Sequence, residues 1–165
     1  IVAWLIFVGL CIETGALIFN FIYSIFKPEI VGHLYQKLNL TKLYQQNQWV
    51  FYSMYSFALF ISVLKACLFY VVINLLQKFD LNKPFSSFVS KKITLISSYT
   101  FFIGILSIIA RHTAKNMVHY GYEFDKLNEF WEDGHPFILM AAVIYIISLI
   151  FKKGVELQTE NDLIV

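Results

Sequence analysis

Two ionisable residues, Glu13 and Lys65, stand inside long apolar runs of this chain. If the first run begins at Ile1 and the second ends near Gln77 on the same side of a membrane, each charge lies 12 residues deep. An antiparallel hairpin would bring them to one level. A lone charge at mid-bilayer costs about 2.5–3.5 kcal/mol on insertion scales, so pairing is the cheap solution. Two chemistries fit such a pair. It can pin the register of two helices, since removing one partner strands the other. It can also relay a proton or an ion. The pin is the better reading, because Ser62 lies near Lys65 while Ser53, Ser56 and Asn74 fall on another side, which draws no continuous polar track.

Other reactive types are scattered. His112 and His119 are seven residues apart with Lys115 between them, and His33, His135 and the acids Glu123, Asp125, Glu129, Glu132 and Asp133 would share their side. That grouping raises a metal or pH-sensing site, but its spacing matches no ligand motif. Trp49, Tyr120, Tyr122 and Trp131 read as interfacial anchors on the same side. Cys11 and Cys67 each lie in an apolar run, with neither a C-x-x-C nor a ligand spacing. The nucleophile-elbow, phosphate-loop and H-E-x-x-H motifs are missing. The sequence therefore predicts no catalytic residue, no metal and no cofactor.

The elements that must position these residues follow from composition. The 165 residues are 58% hydrophobic and 15% charged, against about 25% charged in ordinary soluble domains. Mean hydropathy is +0.64. The stretch Trp49 to Leu76 carries one charge in 28 residues. As a helix it would reach about 42 Å, beyond the roughly 30 Å hydrocarbon core of a bilayer. Spans are expected at about 2–26, 49–76, 93–110 and 136–151, with a tail at 152–165. Lys27-Pro28 closes the first and Arg111-His112 the third, and Lys152-Lys153 follows the fourth. The first run is too long for a signal-peptide core and reads as a retained helix. The fold class is all-α, one polytopic four-helix transmembrane bundle. A net charge of +2 gives no ground for direct nucleic-acid binding.

Small and polar residues mark helix interfaces. Gly9, Glu13, Ala16 and Asn20 share one face of the first span. Ser97, Gly104, Ser107 and Arg111 draw a similar stripe on the third. Between the first two spans, Ile30, Val31, Leu34, Tyr35 and Leu38 have the spacing of an amphipathic helix at the interface. Lysine and arginine near the span ends tie, six to a side. Density breaks the tie, because Lys78, Lys83, Lys91 and Lys92 fall within one short loop. Both termini are thus expected in the cytoplasm. On that face, Lys91 or Lys92 could pair with Glu156 or Glu160, and Gly154 could end or break the fourth helix.

The tail Ile150 to Leu163, IFKKGVELQTENDL, resembles the ending of an uncharacterised bacterial membrane family, the domain of unknown function numbered twenty-nine seventy-five. Lys83-Pro84-Phe85-Ser86 is similar to that family's Pro-Phe-Ser/Thr turn before the third helix. Ile164 stands where the family pattern has threonine. The second half of the chain carries the likeness, while the first half agrees only in hydropathy. The resemblance implies a four-helix bacterial inner-membrane protein, often encoded beside a Cro-like helix-turn-helix regulator, with no catalytic residues to carry over.

The leading expectation is a non-enzymatic membrane protein that meets a protein partner at the cytoplasmic face. Its candidate contacts are Pro84, Phe85, Lys91, Lys92, Gly154, Glu156, Glu160 and Asp162. One alternative is a small ion- or proton-coupled transporter using Glu13 and Lys65. Another is a structural subunit of a larger membrane complex.

Overall fold

A computed structural model describes the chain except residues 28, 30, 32–33, 35–39, 81–83, 132 and 163–165. Among the described residues five α-helices form: α1 (Val2–Phe26), α2 (Thr41–Gln46), α3 (Gln48–Gln77), α4 (Ser87–His119) and α5 (His135–Asp162). A 3₁₀ segment, Asp125–Phe130, precedes α5, and no strand occurs among the described residues. Helices α1, α3, α4 and α5 are long and apolar enough to cross a membrane. The chain is a multi-pass, all-helical four-helix bundle.

Local chemistry sets the helix ends. Asn47 caps α3, its side-chain oxygen accepting from the Trp49 and Val50 amides at 2.9 and 3.4 Å. Ser86 caps α4 by accepting from the Val89 amide at 3.2 Å. At the far end of α4, Gly121 adopts φ +85°, which an L side chain resists. There Gly121 donates to the Val118 carbonyl at 2.9 Å and Tyr122 to the Met117 carbonyl at 3.3 Å, a Schellman closure. α4 thus runs well past Arg111-His112, where hydropathy alone ends the span. Arg, His and Lys stop the apolar run without stopping the helix.

The spanning helices pack in chain order: α1 on α3, α3 on α4, α4 on α5. α1 and α5 share no packed face and stand at the flanks. Their outward side chains, such as Phe19 and Leu139, stay exposed for lipid. Along α1 and α3 the contacts run antiparallel: the Phe7 ring with Tyr70, Thr14 with Ser62, Phe21 with Tyr55, Ser24 with Tyr52. The buried face of α1 is Thr14, Leu17, Asn20 and Ser24. The stripe expected through Gly9 and Glu13 therefore needs correction. It is rotated and shares only Asn20 with the real face, and a Cβ on Gly9 would meet nothing within 4 Å.

The α4–α5 seam is the most extensive interface. A Cβ on Gly104 would lie 2.8 Å from Ile138 Cγ1 and 3.0 Å from the Gly134 carbonyl oxygen. A Cβ on Gly134 would press into the Gly104 carbonyl. Two backbones meet here because neither carries a side chain.

The apolar core lies at one end, away from the chain termini. Val31, Leu34, Leu40 and Leu43 from the first loop cluster with Phe124, Leu127, Phe130 and Trp131 from the third, over Phe51, Met54 and Tyr55 of α3. Two expectations are corrected here. Trp131 is 1% exposed, so it is a core residue and not an interfacial anchor. Val31 and Leu34 are buried in this cluster, which forms a cap over that end of the bundle, instead of lying on lipid, while Ile30, Tyr35 and Leu38 lie outside the described residues.

The seam predicts a contrast between glycines. Gly104→Leu forces α4 from α5 and should destabilise by about 1–3 kcal/mol, the usual cost of overpacking. Gly9→Leu should change stability little. Reversible unfolding in mild detergent measures both, and equal effects would contradict the close approach.

Candidate functional site

The end of the bundle that carries the N-terminus and the C-terminal end of α5, here the terminal face, is built from the start of α4 and the end of α5. Pro84 and Phe85 lead into the Ser86 cap. The Phe85 ring lies 5.3 Å from the Phe151 ring and against Gly154, where a Cβ would collide with its ring atoms. The turn before α4 and the last part of α5 thus pack on each other through Phe85. α5 does not end or break at Gly154; it continues as helix to Asp162. Gly154 is a niche for an aromatic ring, not a stop. The Asp162 side chain, Lys83, Leu163 and Ile164 lie outside the described parts.

The charges here pair differently from expectation. Glu156 accepts from Lys153 at 2.9 Å on its own helix, not from Lys91 or Lys92. Spacing of three residues on one helix reaches more easily than a bridge between helices. Lys92 instead places its Nζ 5.6 Å from the centre of the Phe88 ring, and Lys78 approaches the same ring at 5.6 Å. Lys91 is exposed and lines a groove of about 680 Å³ with Ser87, Thr94, Lys152, Val155 and Glu156. Glu160 is exposed on the last turns of α5, as is Leu157.

Glu13 and Lys65 are both half-buried, and no ion pair joins them among the described residues. Their neighbours meet instead: Thr14 Oγ1 and Ser62 Oγ lie 2.9 Å apart and buried. Nearby, Tyr55 Oη donates to the Leu17 carbonyl at 3.2 Å, and Tyr52 Oη to the Ser24 carbonyl at 3.3 Å. The register pin between α1 and α3 is therefore a ladder of hydroxyls, whose Thr14–Ser62 rung lies at the depth where the charge pair was expected. Neutral hydroxyls satisfy each other in lipid without the desolvation cost of ions. Asn20 is buried beside the Tyr55 hydroxyl. Ser97 is buried and donates to the Ala141 carbonyl at 2.8 Å, and Ser107 is buried on the same α4 face. Asn74 keeps a buried Oδ1 with no hydrogen-bond partner among the described residues.

The capped end holds a polar rim. Asp133 lies 2.6 Å from His135 Nδ1 and 3.6 Å from Arg111, and it accepts from the His135 amide at 3.2 Å. Lys42 of α2 reaches Glu123 at 3.0 Å, and Gln46 donates to the Gly121 carbonyl at 3.3 Å. These bonds tie the first loop to the third. Burial, and then the neighbouring Tyr52 hydroxyl, hold the Tyr44 phenol above its usual range. No three His, Cys, Asp or Glu side chains among the described residues could jointly hold a metal ion. Sequence reasoning missed the cap's own core. Its signal is Phe124, Leu127 and Trp131, apolar at helical spacing inside an otherwise acidic loop.

No family model, curated protein or solved structure matches this chain.

The hydroxyl ladder makes a prediction that an ion pair would not. Thr14→Val leaves Ser62 buried without its partner and should cost about 0.6–2 kcal/mol. Glu13→Gln and Lys65→Met should not lower stability. A buried ion pair would instead lose about 3–5 kcal/mol when either partner is removed. Unfolding of the three single variants in one detergent decides between the two.

Proposed function

We propose that this chain is a non-enzymatic bacterial inner-membrane protein that holds a protein partner at its terminal face, and that this face lies in the cytoplasm. Support for the orientation comes from the density of lysines in the α3–α4 loop. The similarity of the tail and the Pro-Phe-Ser turn to an uncharacterised inner-membrane family, often encoded beside a small DNA-binding regulator, points the same way. The sequence carries none of the common catalytic motifs.

One observation carries the reading. α5 passes unbroken through Gly154, and Phe85 braces it there against Phe151. The last turns of α5 are thereby held as a post outside the apolar span. That post presents Leu157, 54% exposed, on the same face as exposed Lys153 and Glu160. An apolar side chain ringed by polar ones on a rigid helix is suited to docking, because little conformational entropy remains to be lost.

A second reading rests on Glu13 and Lys65. Two half-buried intramembrane charges with no ion pair between them suit an ion-coupled carrier. Flux into proteoliposomes compares the parent with Glu13→Gln and Lys65→Met, and unchanged or absent flux removes this reading.

For the leading reading, a photo-crosslinking residue at Leu157 should give a protein adduct in cells, and one at Leu139 on the lipid side of α5 should give none. Gly154→Leu displaces Phe85 and should abolish the adduct. A cysteine at Glu160 should react with an impermeant maleimide only after the inner membrane is opened. A Leu157 probe that yields no adduct refutes the docking role, and labelling in intact cells refutes the orientation.

A further inference from the structure

The groove at the terminal face does not stop there. Ser87, Lys91, Thr94 and Leu95 lie on one face of α4, spaced by three and four residues. The next positions on that face, Ser98 and Phe101, line a second cavity of about 330 Å³. α5 keeps step on the other wall: Val155 and Lys152 border the first cavity, Tyr145 and Ala142 the second. The two cavities share no lining residue but lie in line on the same faces of α4 and α5, so they trace a furrow along the pair. From Ser87 to Phe101 it extends about 21 Å at the helical rise per residue. Half of a bilayer's hydrocarbon core is about 15 Å deep, so the furrow has the length of a headgroup plus one leaflet's chain.

Its chemistry is graded along that length. At the face, Lys91 and Lys152 border it, and Lys91 makes no ion pair among the described residues. The one carboxylate on the rim, Glu156, is taken by Lys153 at 2.9 Å. Lys152 lies near enough to influence Glu156, but no contact ion pair joins them. The N-terminal end of the 33-residue α4 adds the positive end of its dipole at Ser87. Deeper in, Leu95, Phe101 and Ala142 make an apolar channel.

We propose that this furrow is a binding site for an anionic phospholipid, with the phosphate held by Lys91 and Lys152 and one acyl chain lying along Leu95, Phe101 and Ala142. The site is independent of any protein partner on the Leu157 side of the post. A soluble phosphate would use only the mouth, whereas the lipid uses the whole furrow.

The test uses purified full-length protein in mild detergent, offered phosphatidylglycerol and phosphatidylcholine with identical chains, with bound lipid counted by native mass spectrometry. Phosphatidylglycerol should be retained on the order of tenfold better, a preference of the size that two interfacial lysines supply. Lys91→Gln with Lys152→Gln should abolish the preference. Lys78→Gln with Lys92→Gln removes the same charge beside Phe88 and should leave the preference intact. Ala142→Phe should fill the channel and lower retention of both lipids. Equal effects of the two lysine pairs, retention unchanged by Ala142→Phe, or competition by soluble glycerol phosphate as strong as by the lipid would each overturn the proposal.

Discussion

The structure depends most on how closely α4 and α5 approach. In a bilayer the hydrophobic effect does not drive helices together, because lipid is as apolar as leucine. Packing must then come from surfaces that fit better to each other than to acyl chains. Three contacts supply that fit along the seam. Gly104 and Gly134 let two backbones touch near the capped end. Ser97 donates to the Ala141 carbonyl midway. Phe85 fills the Gly154 niche at the terminal face. One steric absence, one hydrogen bond and one aromatic insertion fix separation, depth and length of the pair. Beside the seam, Lys152 borders one cavity and Tyr145 and Phe101 border the next.

The other half of the bundle uses different means to the same end. Among the described residues α1 packs chiefly on α3, and its outward face is left to lipid. Their contact relies on phenol and hydroxyl groups that donate to helix carbonyls or to each other. Each such group would be costly if left alone in hydrocarbon, so its demand for a partner sets the register. Aromatic rings reinforce this near the cap, where Phe21 stacks on Tyr55 and sits edge-on to Tyr52. The cap itself then joins the two loops of that end through Lys42–Glu123 and a shared apolar cluster.

Much of this could be read from the chain, for reasons that differ by residue. The extent of α1 was legible because an apolar run and Lys27-Pro28 mark the same boundary. α4 and α5 were read short because hydropathy reports the thickness of the membrane, while helices end where capping chemistry ends them. Arg111, His112 and Lys115 leave the oil without leaving the helix, which runs to His119 and is closed by Gly121. Gly154 misled for a related reason, since a glycine reads as a stop unless its tertiary neighbour, Phe85, is known. The pairing of Glu13 with Lys65 rested on depth alone. The depth was sound, as the α1–α3 contacts show, but depth does not specify rotation about the helix axis. Thr14 and Ser62, one and three residues away, hold the facing positions. The cap was illegible because its core is assembled from two loops distant in sequence.

The distribution of order follows from these causes. At the capped end, two loops and three helices share one buried cluster that includes Trp131, Phe124 and Leu127. Among the described residues the terminal face has no comparable buried cluster, and there the Phe85 ring sits in the Gly154 niche of α5. Rigid scaffolds usually carry their recognition elements where packing is thinner, since binding surfaces must remain uncovered. The terminal face has that character: an exposed apolar residue on the α5 post, Lys91 in no ion pair among the described residues, and cavities along the α4–α5 pair. A change that loosens the capped end would threaten the whole bundle. A change to the ring-and-niche contact would alter the direction of α5 while leaving most of the structure intact. That separation lets the terminal face change without unfolding the bundle that supports it.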